Sequence, residues 1–394
     1  MMRVLFVDDE PSLLRALQQS LRGQRTVWQM DFADSATTAL KKLEGQQYDA
    51  VISDMRMPFI DGAELLKRVR LAQPDTLRIV LSGQMDDGAA ARAAASAHRF
   101  LAKPCETQTL VTTLTRLLEL RAQLQSNRLR SCIGGVSTLP SLPSHSAALK
   151  HALERKDVTL GQIAEIVESD AGMAAKLLQL VNSSFFGLPR RVASVEQAIR
   201  HLGLSAVRSV VMADSLFAEL SVADAARLEA ARQRSLMMAG FARRFRLEAQ
   251  QAEVAATAAL LHNVGELALM ARMPEEHDAN QGPASKRGLS TADAERFGLE
   301  ATRPELGAYL LALWGLPGEV VDAVGSQNAP LETWQALDAG AVVWLARGLA
   351  TEAVGSGAAA QLLPDEVVAR LGVAVTVASL RQEIARSTVA TQPS

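Results

Sequence analysis

Cysteine is nearly missing from this 394-residue sequence, which has only Cys105 and Cys132 and no C-x-x-C spacing. That excludes a disulfide framework and a thiolate zinc site, and both residues are expected as free thiols. An excess of charge of one sign is lacking as well. Lys and Arg number 41 against 43 Asp and Glu, a formal net charge of -2. Nothing global therefore favours a nucleic-acid partner, for which a basic domain is expected. The short basic run Ala242-Arg243-Arg244-Phe245-Arg246 reads as a charged helix surface. Long hydrophobic runs are missing too: no stretch reaches the roughly 18 uncharged apolar residues of a membrane helix. The first residues run straight into Asp8 and Asp9, unlike a signal peptide, so a cytoplasmic protein with no membrane partner is expected.

What is present is the balance of a folded protein, 48% hydrophobic and 21% charged. The length exceeds the roughly 250 to 300 residues at which single cores stop growing, so two or three domains are expected. Residues 1–120 alternate short apolar runs with amphipathic segments, the pattern of a parallel α/β sheet. Val4-Leu5-Phe6-Val7, Ala50-Val51-Ile52-Ser53, Ile79-Val80-Leu81 and Phe100-Leu101-Ala102 are nearly uninterrupted, as strands covered on both faces should be, and Trp28 to Phe32 is a weaker fifth. Helix starts are expected at Pro11, after a Ser35 cap, and at Gly62.

One helix is expected from Thr107 to about Arg130, serving as the last helix of this domain and continuing outward as a linker. Its Leu110, Leu114, Leu117 and Leu124 lie near heptad spacing, which leaves a homodimeric coiled coil open beside an ordinary docking helix. Breakers cluster from Ile133 through Pro143, placing a linker over 121–138. Residues 139–386 read as helix throughout, with Ile163, Ile166 and Val167, then Ala174, Leu177, Leu178 and Val181, at a 3.6-residue period. The second domain is expected to be all-α, with a loop from Asp278 to Leu289 and a frayed tail from Ser387.

Chemistry concentrates where the strands of the first domain end. Asp8 and Asp9 follow the first strand and Asp54 the third, and the carboxyl ends of central strands meet at the switch point of a doubly wound sheet. Three carboxylates repel one another unless a cation joins them, and oxygen-only ligands suit magnesium. Ser82 and Lys103 end two further strands, where a hydroxyl and an ammonium can bind the spread charge of a transferring phosphoryl group, with Asp54 the nucleophile.

Residues 1–120 resemble the receiver domain of two-component response regulators. The resemblance is carried by Val7-Asp8-Asp9-Glu10, Ser53-Asp54-Met55-Arg56-Met57-Pro58 with Asp61-Gly62, Leu81-Ser82-Gly83 and Lys103-Pro104. It implies a flavodoxin-like fold with Asp8 and Asp9 as the magnesium-binding acids and Asp54 as phosphoacceptor and metal ligand. Ser82 is then the switch hydroxyl, Lys103 the phosphate-sensing lysine, Phe100 the rotating aromatic, and Lys103-Pro104 a cis peptide. A sensor histidine kinase is the implied partner.

Residues 139–386 resemble the HDOD family, helical relatives of HD-type metal phosphohydrolases. The matching stretches include Leu139-Pro140-Ser141-Leu142-Pro143, Val181-Asn182-Ser183-Ser184-Phe185-Phe186-Gly187, Ser194 to Ile199, Leu260 to Gly265, and Trp314-Gly315-Leu316-Pro317. The family's His-Asp pair reads His262-Asn263 here, and other metal-ligand positions read Arg234, Arg303, Gln327, Asn328 and Arg347. One imidazole does not hold a catalytic metal, which takes about three protein ligands. His262 is expected as a hydrogen-bonded helix residue, and the arginines either suit an anion such as a nucleotide or pair with local acids. The implied protein is a non-enzymatic response regulator whose HDOD domain changes its contacts with a downstream signalling protein, by analogy one of cyclic-di-GMP metabolism. The alternative is a phosphorylation-gated phosphohydrolase of a cyclic dinucleotide.

Overall fold

The computed structural model describes residues 1–82, 96–136, 138–155, 157–183, 191–212, 225–279, 291–354 and 363–390. The chain divides into two compact units. One is built on Met1–Ser137 with Gln179–Arg191 and Ala312–Gly315, and the other on Thr138–Leu178, Val192–Leu311 and Leu316–Ser394. The change falls inside the expected run of breakers.

In the first unit, strands β1 (Met2–Val7), β2 (Trp28–Ala33), β3 (Ala50–Asp54), β4 (Leu77–Ser82) and β5 (Arg99–Ala102) form one sheet in the order β2-β1-β3-β4-β5. Every pairing is parallel. The order reverses direction at β1 and β3, the switch point where doubly wound sheets bind ligands. All five residues of β3 are buried, so no polar face interrupts its apolar run. Helices α1 (Pro11–Ser20), α2 (Ala36–Gly45) and α3 (Gly62–Ala72) begin where expected. Pro11 occupies the first turn, the Ser35 side chain accepts from Thr38 N, and Asp61, a cap not anticipated, accepts from Glu64 N.

The long linker helix is not a single element. Helix α4 (Thr107–Gln123) stops, and α5 (Asn127–Gly134) starts anew with Ser126 as its cap. Leu110, Leu114, Leu117 and Leu124 are all buried, so the stripe that suggested a coiled coil is already covered within this chain. Helix α5 folds back onto the foot of the sheet. Gly134 O accepts from Arg78 Nη2 and from His98 Nε2, both at 2.7 Å. Arg78 is 1% exposed, and its guanidinium also reaches the carbonyls of Ser96, Pro74 and Thr76. Arg121 bridges Asp49 and Asp75 at 2.6 and 2.7 Å.

The remainder of the chain is helical among the described residues, two of its helices running at their ends into Gln179–Arg191 and Ala312–Gly315. Its elements are α6 (Pro143–Glu154), α7 (Leu160–Glu168), α8 (Ala171–Val181), α9 (Val195–Met212), α10 (Ala225–Ala242), α11 (Ala249–Leu260), α12 (Val264–Arg272), α13 (Pro274–Ala279), α14 (Thr291–Leu299), α15 (Arg303–Leu313), α16 (Gly318–Gly325), α17 (Ala339–Val354), α18 (Asp365–Arg370) and α19 (Ala374–Ala390). The 3.6-residue stripes point inward as expected: Ile163, Val167, Ala174, Leu178 and Val181 are buried. Two boundaries differ. Asp278 belongs to α13, with 280–290 outside the described residues, and α19 extends through the expected tail to Ala390. The stretch Ala249–Arg272 is long and apolar enough to cross a membrane by length and composition, but 83% of its most apolar window is buried and a turn at 261–263 divides it.

Candidate functional site

The site grows from the register of the sheet. Val7 of β1 pairs with Ser53 of β3, so the next residues, Asp8 and Asp54, emerge side by side at the carboxyl edge. Asp54 lies level with Leu81 of β4, and Ser82 with Ala102 of β5, which brings Lys103 to the same edge. The side chain of Ser82, and Gly83, lie outside the described residues.

Asp8 and Asp54 are 2% and 7% exposed, yet they share one ammonium. Lys103 Nζ donates to Asp8 Oδ2 at 2.7 Å and forms an ion pair with Asp54 Oδ1. The remaining oxygens are satisfied locally, Asp8 Oδ1 by Glu10 N and Asp54 Oδ2 by Arg56 N, each at 2.9 Å. Burial alone would lower the pKa of Lys103, but its hydrogen bonds to Asp54 and Asp8 and their charges outweigh it and hold the ammonium above its ordinary value. The Lys103–Pro104 bond is cis. Phe100, on β5, is partly buried against the apolar cluster that includes Val51, Met55 and Val80.

Asp9 follows at the same edge, partly exposed. Among the described residues no three His, Cys, Asp or Glu side chains gather as a ready metal cage. The donor set nevertheless fits magnesium, which is usually held by one or two carboxylates with water and phosphoryl oxygens completing the shell. Three carboxylates beside one ammonium leave a net charge of two negative, which a divalent cation would balance.

The loop after Asp54 is closed by glycine. Gly62 N donates to Met55 O at 2.9 Å, and a Cβ at Gly62 would fall 2.1 Å from Asp54 O. No other residue allows that approach, so Gly62 fixes both the start of α3 and the backbone of the acceptor residue.

In the helical unit, the positions that read as altered metal ligands converge on two carboxylates that sequence reasoning missed, Glu266 and Glu295. Arg234 Nη2 donates to both oxygens of Glu266, at 3.1 and 3.0 Å. Arg303 lies 3.7 Å from Glu266 and 3.3 Å from Glu295. Arg347 rests on Gln327 O at 2.9 Å and on the Asn328 side chain. Of the two readings left open for these arginines, pairing with acids describes Arg234 and Arg303. Glu266 was legible as the lone charge in the apolar run Val264 to Met270, all of it buried. Burial pushes the Glu266 carboxyl up, but the His277 hydrogen bond and the charges of Arg234, Arg303 and His277 pull it further, down to about 2.

His262 sits in the turn between α11 and α12 rather than within a helix, hydrogen-bonded through Nδ1 to Ala259 O at 2.9 Å. Burial lowers its pKa to about 4, with Arg234 and Arg347 adding to that shift. The Asn263 amide donates to Ala231 O at 3.0 Å, and Gln327 Nε2 donates to His262 O at 3.1 Å. The basic run after α10 is likewise paired, Arg243 with Glu168 at 2.7 Å and Arg244 with Glu383 at 2.8 Å. Ser183 Oγ donates to Leu180 O at the end of α8, as a capping residue does, and residues 184–187 of the same motif lie outside the described residues. Cys105 and Cys132 are thiols, not joined in a disulfide.

Comparison with known proteins agrees with both halves. The response regulator receiver domain family matches residues 4–115 and the HDOD domain family residues 139–330. An uncharacterized protein of Treponema pallidum is 25% identical over 221 residues, 54% of this chain and 42% of that protein. The C4-dicarboxylate transport transcriptional regulatory protein DctD of Pseudomonas aeruginosa is 35% identical over 32% of this chain and 27% of its own length. The chain thus spans less than half the length of these curated relatives. Among solved structures, the MmoQ response regulator of Methylococcus capsulatus is 25% identical and covers 62% of this chain and 97% of its own, at a TM-score of 0.49. The signal receiver domain of an HD domain-containing protein from Pseudomonas fluorescens is 35% identical over 31% of this chain and 97% of its own, at 0.29. Receiver domains generally bind magnesium for phosphorylation, which accords with the donor set around Asp54. A receiver domain over 4–115 joined to an HDOD domain over 139–330 makes this chain a two-component response regulator.

Proposed function

We propose that the chain takes a phosphoryl group onto Asp54 from the phosphohistidine of a sensor histidine kinase in the cytoplasm. The HDOD domain then passes the change on through its contacts with a downstream signalling protein, and hydrolyses nothing. The observation that carries the first part is the Lys103 ammonium shared between Asp8 and Asp54 at the switch point. An Asp54 oxygen attacks phosphorus as the N–P bond breaks. The departing imidazole keeps the electron pair and takes a proton from water. Bound magnesium supplies neutralisation of the phosphoryl oxygens, the main demand of such a transfer. Lys103, released from Asp54, takes one phosphoryl oxygen and Ser82 another, and Phe100 answers by repacking. The second part is supported by guanidinium groups at positions where a cation would be repelled, and by the Asn263 amide in place of a carboxylate.

Acetyl phosphate should label the purified chain only with magnesium present, and Asp54→Asn should abolish labelling. Acid-stable label persisting in Asp54→Asn would place the acceptor elsewhere.

A further inference from the structure

Between Asp54 and Gly62 the chain places a residue that pays twice for its position. Phe59 is fully exposed, and its φ is 68°. Among the described residues it shares a positive φ with one other non-glycine, Glu300. Ile60 N donates to Pro58 O at 2.8 Å across it, so Phe59 is the centre of a three-residue turn with positive φ, the rare and strained hand of the γ-turn. On either side of the exposed Pro58–Phe59 pair the chain turns inward: Met57 is buried and Ile60 packs on the core. The turn therefore holds Phe59 outward. Glycine would take this φ without strain and a polar residue would suit the solvent, so neither local geometry nor solvation accounts for an aromatic ring here.

Its surroundings say what would cover it. The loop that carries Phe59 starts at Asp54 and closes back on it through Gly62. β1 and β3 are neighbours, so the first turn of α1, with Pro11, Ser12 and Leu13 exposed, starts from the same edge on the other side of the acids. Asp54 itself is 7% exposed, so little of it is open between these two exposed stretches. A small phosphodonor can reach it without touching either stretch. A protein that delivers phosphohistidine has to lay its own surface over them.

We propose that Phe59 is the apolar anchor by which a phosphohistidine-bearing protein docks over Asp54, and that it determines which donor proteins this chain accepts. The inference rests on Asp54 being the phosphoacceptor. A ring projecting into an apolar pocket on the donor loses its exposed surface only in the complex, as interface hot spots do, and they are rich in aromatic residues.

The test uses the full chain and two donors. Wild type, Phe59→Ala, Phe59→Gly and Phe59→Leu are labelled with acetyl phosphate, and with an autophosphorylated histidine kinase selected from a purified panel solely because it labels wild type. Acetyl phosphate should label all four within about twofold. Transfer from the kinase, read as kcat/KM, should fall roughly tenfold or more in Phe59→Ala and Phe59→Gly, and recover in part in Phe59→Leu. Equal kinase transfer to wild type and Phe59→Ala overturns the proposal. So does a parallel loss of acetyl phosphate labelling, which would assign Phe59 to loop geometry, and so does a panel in which no kinase labels wild type although acetyl phosphate does. Failure of the phosphoacceptor reading is separate, since it appears as label surviving in Asp54→Asn.

Discussion

His262 and Glu266 make the helical domain sensitive to acid in two adjoining windows. The folded state keeps His262 neutral to a pKa of about 4, while the unfolded chain takes up that proton near 6.5. Between those values the unfolded state binds more protons, so stability falls as pH falls. The loss is on the order of 3 kcal/mol at most, from a shift worth about 1.4 kcal/mol per unit. Glu266 is held at about 2 against an ordinary 4.5, so its contribution is present above 4.5 and disappears as pH falls toward 2. Denaturant unfolding of wild type should therefore weaken from pH 6.5 downward, and His262→Gln should flatten the upper window while leaving the lower. An unchanged slope in the variant would mean that another group titrates there. Pairing of Arg234 and Arg303 with local acids was one of the readings the sequence left open, but which carboxylate they meet was not legible in advance. The His262-Asn263 pair stands out by position, but the carboxylate that organises the cluster comes from the next turn of sequence and the arginines from helices far along the chain.

Close helix contacts and the α4–α5 break belong to the scale of elements. Gly265 on α12 meets α15 so tightly that a Cβ would fall 2.0 Å from Arg303 O. Gly265→Ala should force these helices apart and loosen the Arg303–Glu266 pair, lowering stability by about 1–3 kcal/mol, the usual cost of overpacking. A thermal midpoint equal to wild type would refute that. Apolar runs revealed the strands because a sheet covered on both faces keeps the polar residues of its inner strands near their ends. The same reasoning left the end of α4 invisible. Leu124 continues the leucine stripe, yet Leu124–Ser126 leaves the helix and Ser126 caps a new one. What bends the chain back is Arg78, a buried cation whose hydrogen bonds require the Gly134 carbonyl, and a single charge opening a strand gives no pattern to read. Two glycines inserted after Leu124 should pull α5 from Arg78 and His98, leaving buried donors unmet at about 1–3 kcal/mol each. The receiver should then melt lower, while acetyl phosphate still labels Asp54 at the opposite end of the sheet. A melting point equal to wild type would show that α5 contributes nothing to receiver stability.

Phosphorylation has to reach the HDOD domain for the whole molecule to act as a switch, and α4 and α5 define where it can pass. Arg78 and His98 fasten the chain to the receiver as far as Gly134 at the end of α5. A change at Asp54 frees Lys103, the residue after β5, and β5 also carries Phe100 and is joined to α4 by residues 103–106. Rearrangement around Phe100 would therefore reach α4 first, and α5 through its hold on Arg78 and His98, rather than bend one long helix midway. A typical coupling of about 1–3 kcal/mol changes a conformational equilibrium roughly 5- to 150-fold without refolding either domain. Scattering profiles or particle mass of wild type should accordingly differ with and without beryllofluoride and magnesium, and those of Asp54→Asn should not. Elemental analysis of the same preparations should find less than one equivalent of iron, manganese or zinc, since the HDOD domain is proposed to act through contacts. Stoichiometric metal together with cyclic-dinucleotide hydrolysis that His262→Ala removes would instead make that domain an enzyme. A scattering response of equal size in wild type and Asp54→Asn would separate the conformational change from the acceptor altogether.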